Sequence, residues 1–259
     1  MKHYQPYHIV DQRPWPLLTG MCVLMTVSGL IAIFHLNSPL LFFARLLLLI
    51  GCVWRWAIDI CDESSLGFHT KPVQRNMITG FIIFILREIA LFASFFWAFF
   101  TRALVPTPEI GLTWPPQGIH IPSPSGAPLL GTLLLLSSGA FLTWSHHAMT
   151  TGQDSDVTQG LLWCLLLGEG FAVLQASEYA CAQFSISDRA LGSCFFMLTG
   201  LHGAHVLIGL SLLEICLVRH LKGQFATNHH LGFETSAWYW HFVDVVWLFV
   251  FTFIYCWGC

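Results

Sequence analysis

Long apolar stretches constrain this chain more than any other feature of its sequence. Stretches of predominantly apolar residues, separated by proline, glycine and charged clusters, lie at about 16–35, 40–61, 77–103, 128–148, 158–181, 190–220 and 234–257. A helix needs about 20 apolar residues to cross the hydrocarbon core of a bilayer, and each stretch approaches or exceeds that length. The sequence therefore predicts an all-α, polytopic membrane protein with seven transmembrane helices.

The charge content supports the same fold class. Only 10% of the 259 residues are Asp, Glu, Lys or Arg, whereas 55% are hydrophobic. A soluble domain carries about 25% charged residues, so a free-standing soluble globular domain is excluded. The formal net charge is −3, and the 11 Lys and Arg residues are too sparse for a nucleic-acid interface. We expect no nucleic-acid partner.

Polar segments divide the predicted helices into two groups. The polar stretch 62–75 separates the first two helices from the later five, so we expect two parts, residues 1–75 and residues 76–259. The only long polar connection runs from Val105 to Pro128, where six intervening prolines block helix formation. Basic residues are more numerous on the side of the N-terminus. This bias predicts that the N-terminus lies on the inner side of the membrane and the C-terminus on the opposite side.

Ionisable side chains inside the predicted spans are candidates for function because they are costly there. They include Arg87, Glu88, Glu169, His202, His205, His241 and Asp244. A proton or ion path through Glu88, Glu169 and Asp244 is one interpretation. A set of interhelical ion pairs and hydrogen bonds is the other, and both stay open at this point.

Haem ligation is a further interpretation of the buried histidines. A membrane haem commonly needs His ligands that face each other across two helices, and His202 or His205 could meet His241. However, no predicted span contains a Glu-x-x-His di-iron motif. Adjacent histidines such as His146-His147 point about 100° apart on a helix. Hydrogen-bonded histidines in the bundle interior are therefore favoured over metal or haem ligation.

Polar clusters follow the second and the sixth predicted helices, on the side with more basic residues. Their members are Trp56, Asp62, Glu63, His69 and Lys71 after the second helix, and Arg219, Lys222, His229 and His230 after the sixth. Basic pockets between helices bind anionic lipid head groups. An ordinary solvated interfacial loop is the alternative, and the residues alone do not decide between the two.

Ordered motifs along nearly the whole chain resemble cytochrome c oxidase subunit III in its mitochondrial form. They include Pro14-Trp15-Pro16, FFWAF from Phe95, Pro106-Thr107-Pro108-Glu109, Thr143-Trp144 with His146-His147, LQASEY from Leu174, Asn228-His229-His230, and AWYWHFVDVVW from Ala237. One such block could arise by chance, whereas this many in the same order could not.

The resemblance implies a non-catalytic subunit of respiratory complex IV that carries no redox centre itself. It implies a V-shaped cleft between helices one–two and three–seven, which holds phospholipids of the phosphatidylglycerol, phosphatidylethanolamine or cardiolipin type. The main partner is subunit I, with subunit II and small accessory subunits, and haem a and copper lie in the partner catalytic subunits. The implied role is to stabilise the oxidase and maintain proton uptake in the mitochondrial inner membrane, with the N-terminus in the matrix and the C-terminus in the intermembrane space.

The resemblance also implies lipid contacts for individual residues. Glu88 corresponds to the family's buried carboxylate on the third helix, facing the cleft. The other residues implied to contact lipid are Trp56, Asp59, Glu63, His69, His205, Arg219, Lys222, His229 and Glu234. The end of the second helix departs from the family pattern Trp-Trp-Arg-Asp, because it reads Trp56-Ala57-Ile58-Asp59. This departure weakens the expected binding of anionic lipid there.

Two further departures lead to expectations of their own. Arg87 stands where the family has a small polar residue, and Glu169 where it has an apolar one, at about the same depth in the membrane. We expect the two to form a compensating buried ion pair, because an unpaired buried charge costs several kcal/mol. Cys256 and Cys259 also replace other residues, and whether they form a disulfide stays open.

Overall fold

A computed structural model describes residues 6–36, 39–108, 111–116, 118–119 and 121–258. In these ranges the regular elements are α1 (Trp15–Leu36), α2 (Pro39–Ser65), α3 (Lys71–Leu104), α4 (Ala127–Thr151), α5 (Asp154–Cys181), α6 (Arg189–Leu221) and α7 (Leu231–Val250), which continues as a π-helical turn over Phe251–Cys256. All 7 helices are long and apolar enough to cross a membrane. This confirms the prediction of an all-α, polytopic protein.

Several helices extend beyond the apolar stretches that predicted them. α3 begins at Lys71 rather than near residue 77, and α5 begins at Asp154 rather than near residue 158. An apolar stretch marks only the part of a helix that lies in hydrocarbon, whereas backbone hydrogen bonding continues into the polar residues that flank it. In α5, Asp154 and Asp156 occupy the first turn, where carboxylates interact favourably with the positive end of the helix dipole.

The chain divides into two compact units, Met1–Met77 and Ile78–Cys259. In the first unit, α1 packs against α2. The two backbones approach closely at Gly29 of α1, since a Cβ atom placed there would lie 3.0 Å from the Cα atom of Phe42 in α2. Small residues commonly permit such an approach between membrane helices.

In the second unit, α4 and α6 each pack against both α5 and α7. Two fully buried tryptophans of α7 donate hydrogen bonds to hydroxyl groups of α4. The indole of Trp240 donates to Ser138 at 2.9 Å, and that of Trp247 donates to Thr132 at 2.9 Å. Because hydrocarbon offers no hydrogen-bond partner, each pairing removes the cost of an unsatisfied donor.

Glycines on two neighbouring helices make room for the ring of Trp240. A Cβ atom at Gly168 of α5 would lie 2.7 Å from this ring, and one at Gly209 of α6 would lie 2.8 Å from it. These distances are too short for a real carbon–carbon contact, so any larger residue at either position would displace the indole. The side chain of Trp240 therefore fixes the spacing of three helices.

Candidate functional site

The first unit contains a groove of about 670 Å³, lined by its N-terminal segment, the end of α2 and the beginning of α3. Three residues implied to contact lipid line this groove, namely Trp56, Glu63 and His69. The N-terminal segment adds His8 and Arg13. The groove therefore combines an apolar wall with several ionisable groups.

Glu63 lies at the centre of the charged groups of this groove. Its Oε1 forms an ion pair with Nη2 of Arg13 at 2.6 Å, and its Oε2 lies 3.7 Å from Nδ1 of His8. The ring of His8 stacks on Phe68 with a centroid separation of 4.9 Å. Nη1 of Arg13 is buried and has no hydrogen-bond partner among the described residues. One edge of this guanidinium can therefore still donate to a ligand.

Asp59 has a different environment from the residues that line the groove. Its carboxylate accepts a hydrogen bond from the indole of Trp15. This contact joins the beginning of α1 to the last turns of α2, so the structure gives Asp59 a part in holding the two helices together.

Glu88 lies in the second unit, where α3 meets α6. Its carboxylate is buried, and its Oε2 lies 3.1 Å from Nε2 of His205. Nδ1 of His205 lies 2.8 Å from the carbonyl oxygen of Leu201, and because a carbonyl only accepts, Nδ1 carries a proton. A second proton must lie between Nε2 and the Glu88 carboxylate to make that contact attractive. Two residues implied to contact lipid therefore contact each other through a buried hydrogen bond.

Arg87 does not form the predicted ion pair with Glu169. Its guanidinium donates to the adjacent Glu88 at 3.0 Å and lies 5.2 Å from the ring centre of Phe84. The side chain of Arg87 is 72% exposed, and Glu169 is exposed on α5. Equal depth does not determine which face of a helix a side chain occupies, so two charges at one depth need not meet.

The histidines of α6 and α7 do not face each other as axial haem ligands would. Nε2 of His202 lies 3.1 Å from the carbonyl oxygen of Val243, and His205 is directed towards α3. His241 lies beside α4, since a Cβ atom at Gly139 would be 3.6 Å from its Nδ1. These positions contradict the alternative in which His241 shares a haem with either histidine of α6.

The three carboxylates considered for a proton or ion path lie against different surroundings. Glu88 faces α6, and Glu169 is exposed. Asp244 is buried and is directed towards α4, since a Cβ atom at Gly139 would lie 3.1 Å from its Oδ2. These placements favour separate polar contacts over one path through all three acids.

The end of α6 and the loop that follows it hold three more residues implied to contact lipid. Nε of Arg219 donates to the side-chain oxygen of Gln224 at 3.1 Å, and the guanidinium lies 4.6 Å from the ring centre of Phe225. Lys222 and His229 are exposed. The remaining residue implied here, Glu234, belongs to a cluster described below. Sequence analysis did not single out that cluster, and it also missed Arg13 in the groove.

The open question of whether Cys256 pairs with Cys259 concerns Cys259, which lies outside the described ranges. Cys256 itself is exposed at the end of the π-helical turn.

These features define a class of protein, namely a polytopic seven-helix membrane protein with polar contacts between its helices and an ionisable groove beside its first helix pair. A sequence model of the family described as cytochrome c oxidase subunit III matches residues 5–259. The chain is similar to cytochrome c oxidase subunit 3 of Pisaster ochraceus, with 48% identity over 259 residues that cover 100% of both chains. It is also similar to that of Anopheles gambiae, with 49% identity over 254 residues that cover 98% of this chain and 97% of the relative. The chain belongs to the cytochrome c oxidase subunit III family, which confirms the resemblance of its motifs.

Proposed function

We propose that this chain is a non-catalytic subunit of a mitochondrial cytochrome c oxidase and that it holds structural phospholipid for the complex. The observation that carries the proposal is the unpartnered Nη1 of Arg13 in the groove that Trp56 and His69 also line. A guanidinium binds phosphate through charge-assisted hydrogen bonds. Aromatic side chains such as Trp56 favour the level of the lipid head groups.

The surface next to the groove suits acyl chains. No residue of α2 is buried, and Leu17 near the start of α1 is 66% exposed. A phospholipid could thus bind its phosphate at Arg13 and lay its chains along these apolar helices. Phosphatidylglycerol, phosphatidylethanolamine and cardiolipin share this phosphate, and Glu63 would additionally favour a head group that carries an ammonium.

The proposed location and partners follow from family membership and from the charges. The N-terminus would lie in the matrix and the C-terminus in the intermembrane space, because basic residues are more numerous on the N-terminal side. The chain would pack mainly on subunit I, with subunit II and small accessory subunits nearby. Haem a and copper would belong to the partner catalytic subunits.

A second part of the proposal is support of proton uptake by the catalytic subunit. The buried contact between Glu88 and His205 favours this role. A hydrogen bond between a carboxyl group and an imidazole can pass a proton from one group to the other without a large rearrangement. The redox chemistry itself is assigned to the partners, and the role of this chain is to maintain their proton supply and stability.

Replacement of Arg13 in the assembled oxidase tests the lipid proposal. Arg13→Gln removes the cation from the groove. After detergent exchange, we expect the purified variant complex to contain at least one phospholipid fewer than the parent complex, as counted by mass spectrometry. Arg55→Gln is the matched control, because Arg55 is exposed on α2 and the same charge is removed. An unchanged phospholipid count in Arg13→Gln, or an equal loss in both variants, would contradict specific binding in the groove.

A further inference from the structure

Two histidines and one glutamate form a cluster at the end of the second unit where α4 ends and α7 begins. The ligand atoms of His146, His230 and Glu234 all lie within 4.8 Å of one another. His146 lies near the end of α4, His230 directly precedes α7, and Glu234 belongs to the first turn of α7. We infer that this cluster is a metal site that takes Zn²⁺.

The spacing of two ligands already fits such an ion. Nε2 of His230 lies 3.3 Å from Oε1 of Glu234. Two ligands at about 2.0–2.1 Å from a tetrahedral Zn²⁺ are about 3.3–3.4 Å apart. The ligand atom of the third residue, His146, lies within 4.8 Å of the other two ligand atoms. Its ring centre already lies 5.7 Å from that of His230.

The tautomer of His230 supports metal binding at its Nε2. Nδ1 of His230 lies 3.0 Å from the carbonyl oxygen of Ala226, which only accepts, so Nδ1 carries the proton. If that proton is the only one on the ring, Nε2 presents a lone pair towards the Glu234 carboxylate, and two acceptors at this distance repel unless a second proton or a metal cation lies between them. Histidine ligands of metals commonly donate their other N–H group to a carbonyl or carboxylate, which orients the ring. The contact with Ala226 has that form.

The backbone before α7 holds this arrangement in place. Ala226 and His229 exchange backbone hydrogen bonds at 3.2 and 3.0 Å, which closes a tight turn directly before His230. The ring of His146 also packs on Phe233, with a centroid separation of 5.6 Å. The ligands are therefore positioned by a turn and by packing, as a specific metal site requires.

Each adjacent histidine pair directs one member into the site and the other outwards. His230 is buried and His146 is partly buried, whereas His147 and His229 are exposed. The side chain of Glu234 is 34% exposed. One side of the cluster is therefore open to water, which can supply the fourth ligand that sites with three protein ligands use.

The donor set selects the class of metal. Two imidazoles and one carboxylate suit Zn²⁺ and other late divalent transition metals, whereas Ca²⁺ and Mg²⁺ prefer oxygen ligands alone. The inference depends only on residues of this chain and not on the proposed phospholipid site.

Zinc counting on the assembled oxidase tests the site. The complex is stripped with a chelator and equilibrated with Zn²⁺ alone, and bound zinc is counted by mass spectrometry. We expect His146→Asn and Glu234→Gln each to bind one zinc fewer than the parent complex. At the variant sites the dissociation constant should rise more than about 100-fold, since loss of an outer-shell partner alone costs about 10–100-fold.

His147→Asn is the matched control, because it removes an exposed histidine from the neighbouring position. It should retain the zinc, and the zinc-edge X-ray absorption difference between the parent complex and His146→Asn should show nitrogen and oxygen ligands without sulfur. His230 is left unchanged because its replacement also removes the buried bond to Ala226. An unchanged zinc count in His146→Asn and Glu234→Gln, or an equal loss in His147→Asn, would overturn the site and indicate adventitious binding.

Discussion

The two units of this chain differ most in how far their helices bury their own side chains. In the most apolar segment of α2 no residue is buried, whereas 56% of the residues in the corresponding segment of the last span are buried. The second unit has an internal framework in which Trp240 and Trp247 of α7 bond to α4. The first unit has a close backbone approach at Gly29 and a hydrogen bond from Arg45 of α2 to Ser28 of α1, and it exposes most of its apolar surface.

This difference shows where each unit obtains its stability. Lipid tails are as apolar as the helices, so helices associate in a membrane through close packing and hydrogen bonds. The second unit has many such contacts within the chain. The first unit has few, and its exposed faces are suited to contacts with lipid or with other subunits. Several of its ionisable residues accordingly line a groove, whereas Glu88 and His205 of the second unit are buried between helices.

The largest effect is expected from removing a tryptophan of the framework. Trp240→Ala leaves a cavity between α5 and α6 and removes the partner of Ser138, so the free energy of unfolding in detergent should fall by about 3–5 kcal/mol. Trp54→Ala is the matched change in the first unit, because Trp54 is 55% exposed on α2. It should change the free energy of unfolding by less than about 0.5 kcal/mol. Equal losses in the two variants would refute the contrast between the units.

The sequence predicts the helices well because a helix that crosses the hydrocarbon core needs an apolar stretch of a matching length. It does not record which way each helix faces. His146 and His230 are directed inwards while their neighbours His147 and His229 are exposed, and for His230 this direction depends on the tight turn that precedes α7. In the same way, motif resemblance placed Glu63 near the groove, but its pairing with Arg13 depends on how a distant N-terminal segment folds back.

An intermediate effect is expected at the buried carboxylate of the second unit. Glu88→Gln removes a charged partner from His205, and since buried hydrogen bonds to charged groups contribute about 1.5–3 kcal/mol, the free energy of unfolding should fall by about that amount. The proposed role in proton uptake additionally predicts that the assembled oxidase takes up protons more slowly and inactivates sooner during turnover. Glu169→Gln is the control, because it makes the same change at an exposed position of α5. A variant Glu88→Gln that lost stability but kept normal proton uptake would reduce Glu88 to a structural residue.

The smallest effect is expected for Arg87 and Glu169, two charged residues of the second unit that lie at about the same depth in the membrane but do not contact each other. Arg87 and Glu169 form no ion pair in the structure, so a double-mutant cycle with Arg87→Gln and Glu169→Gln should be additive within about 0.3–0.5 kcal/mol. The matched cycle of Glu88→Gln with His205→Gln should show a larger coupling energy, because their side chains are in contact at 3.1 Å. Both cycles are measured as free energies of unfolding in the same detergent. The coupling energy between Arg87 and Glu169 could instead equal that between Glu88 and His205. The two exposed side chains would then form an ion pair, and equal depth in the membrane would have been sufficient to predict it.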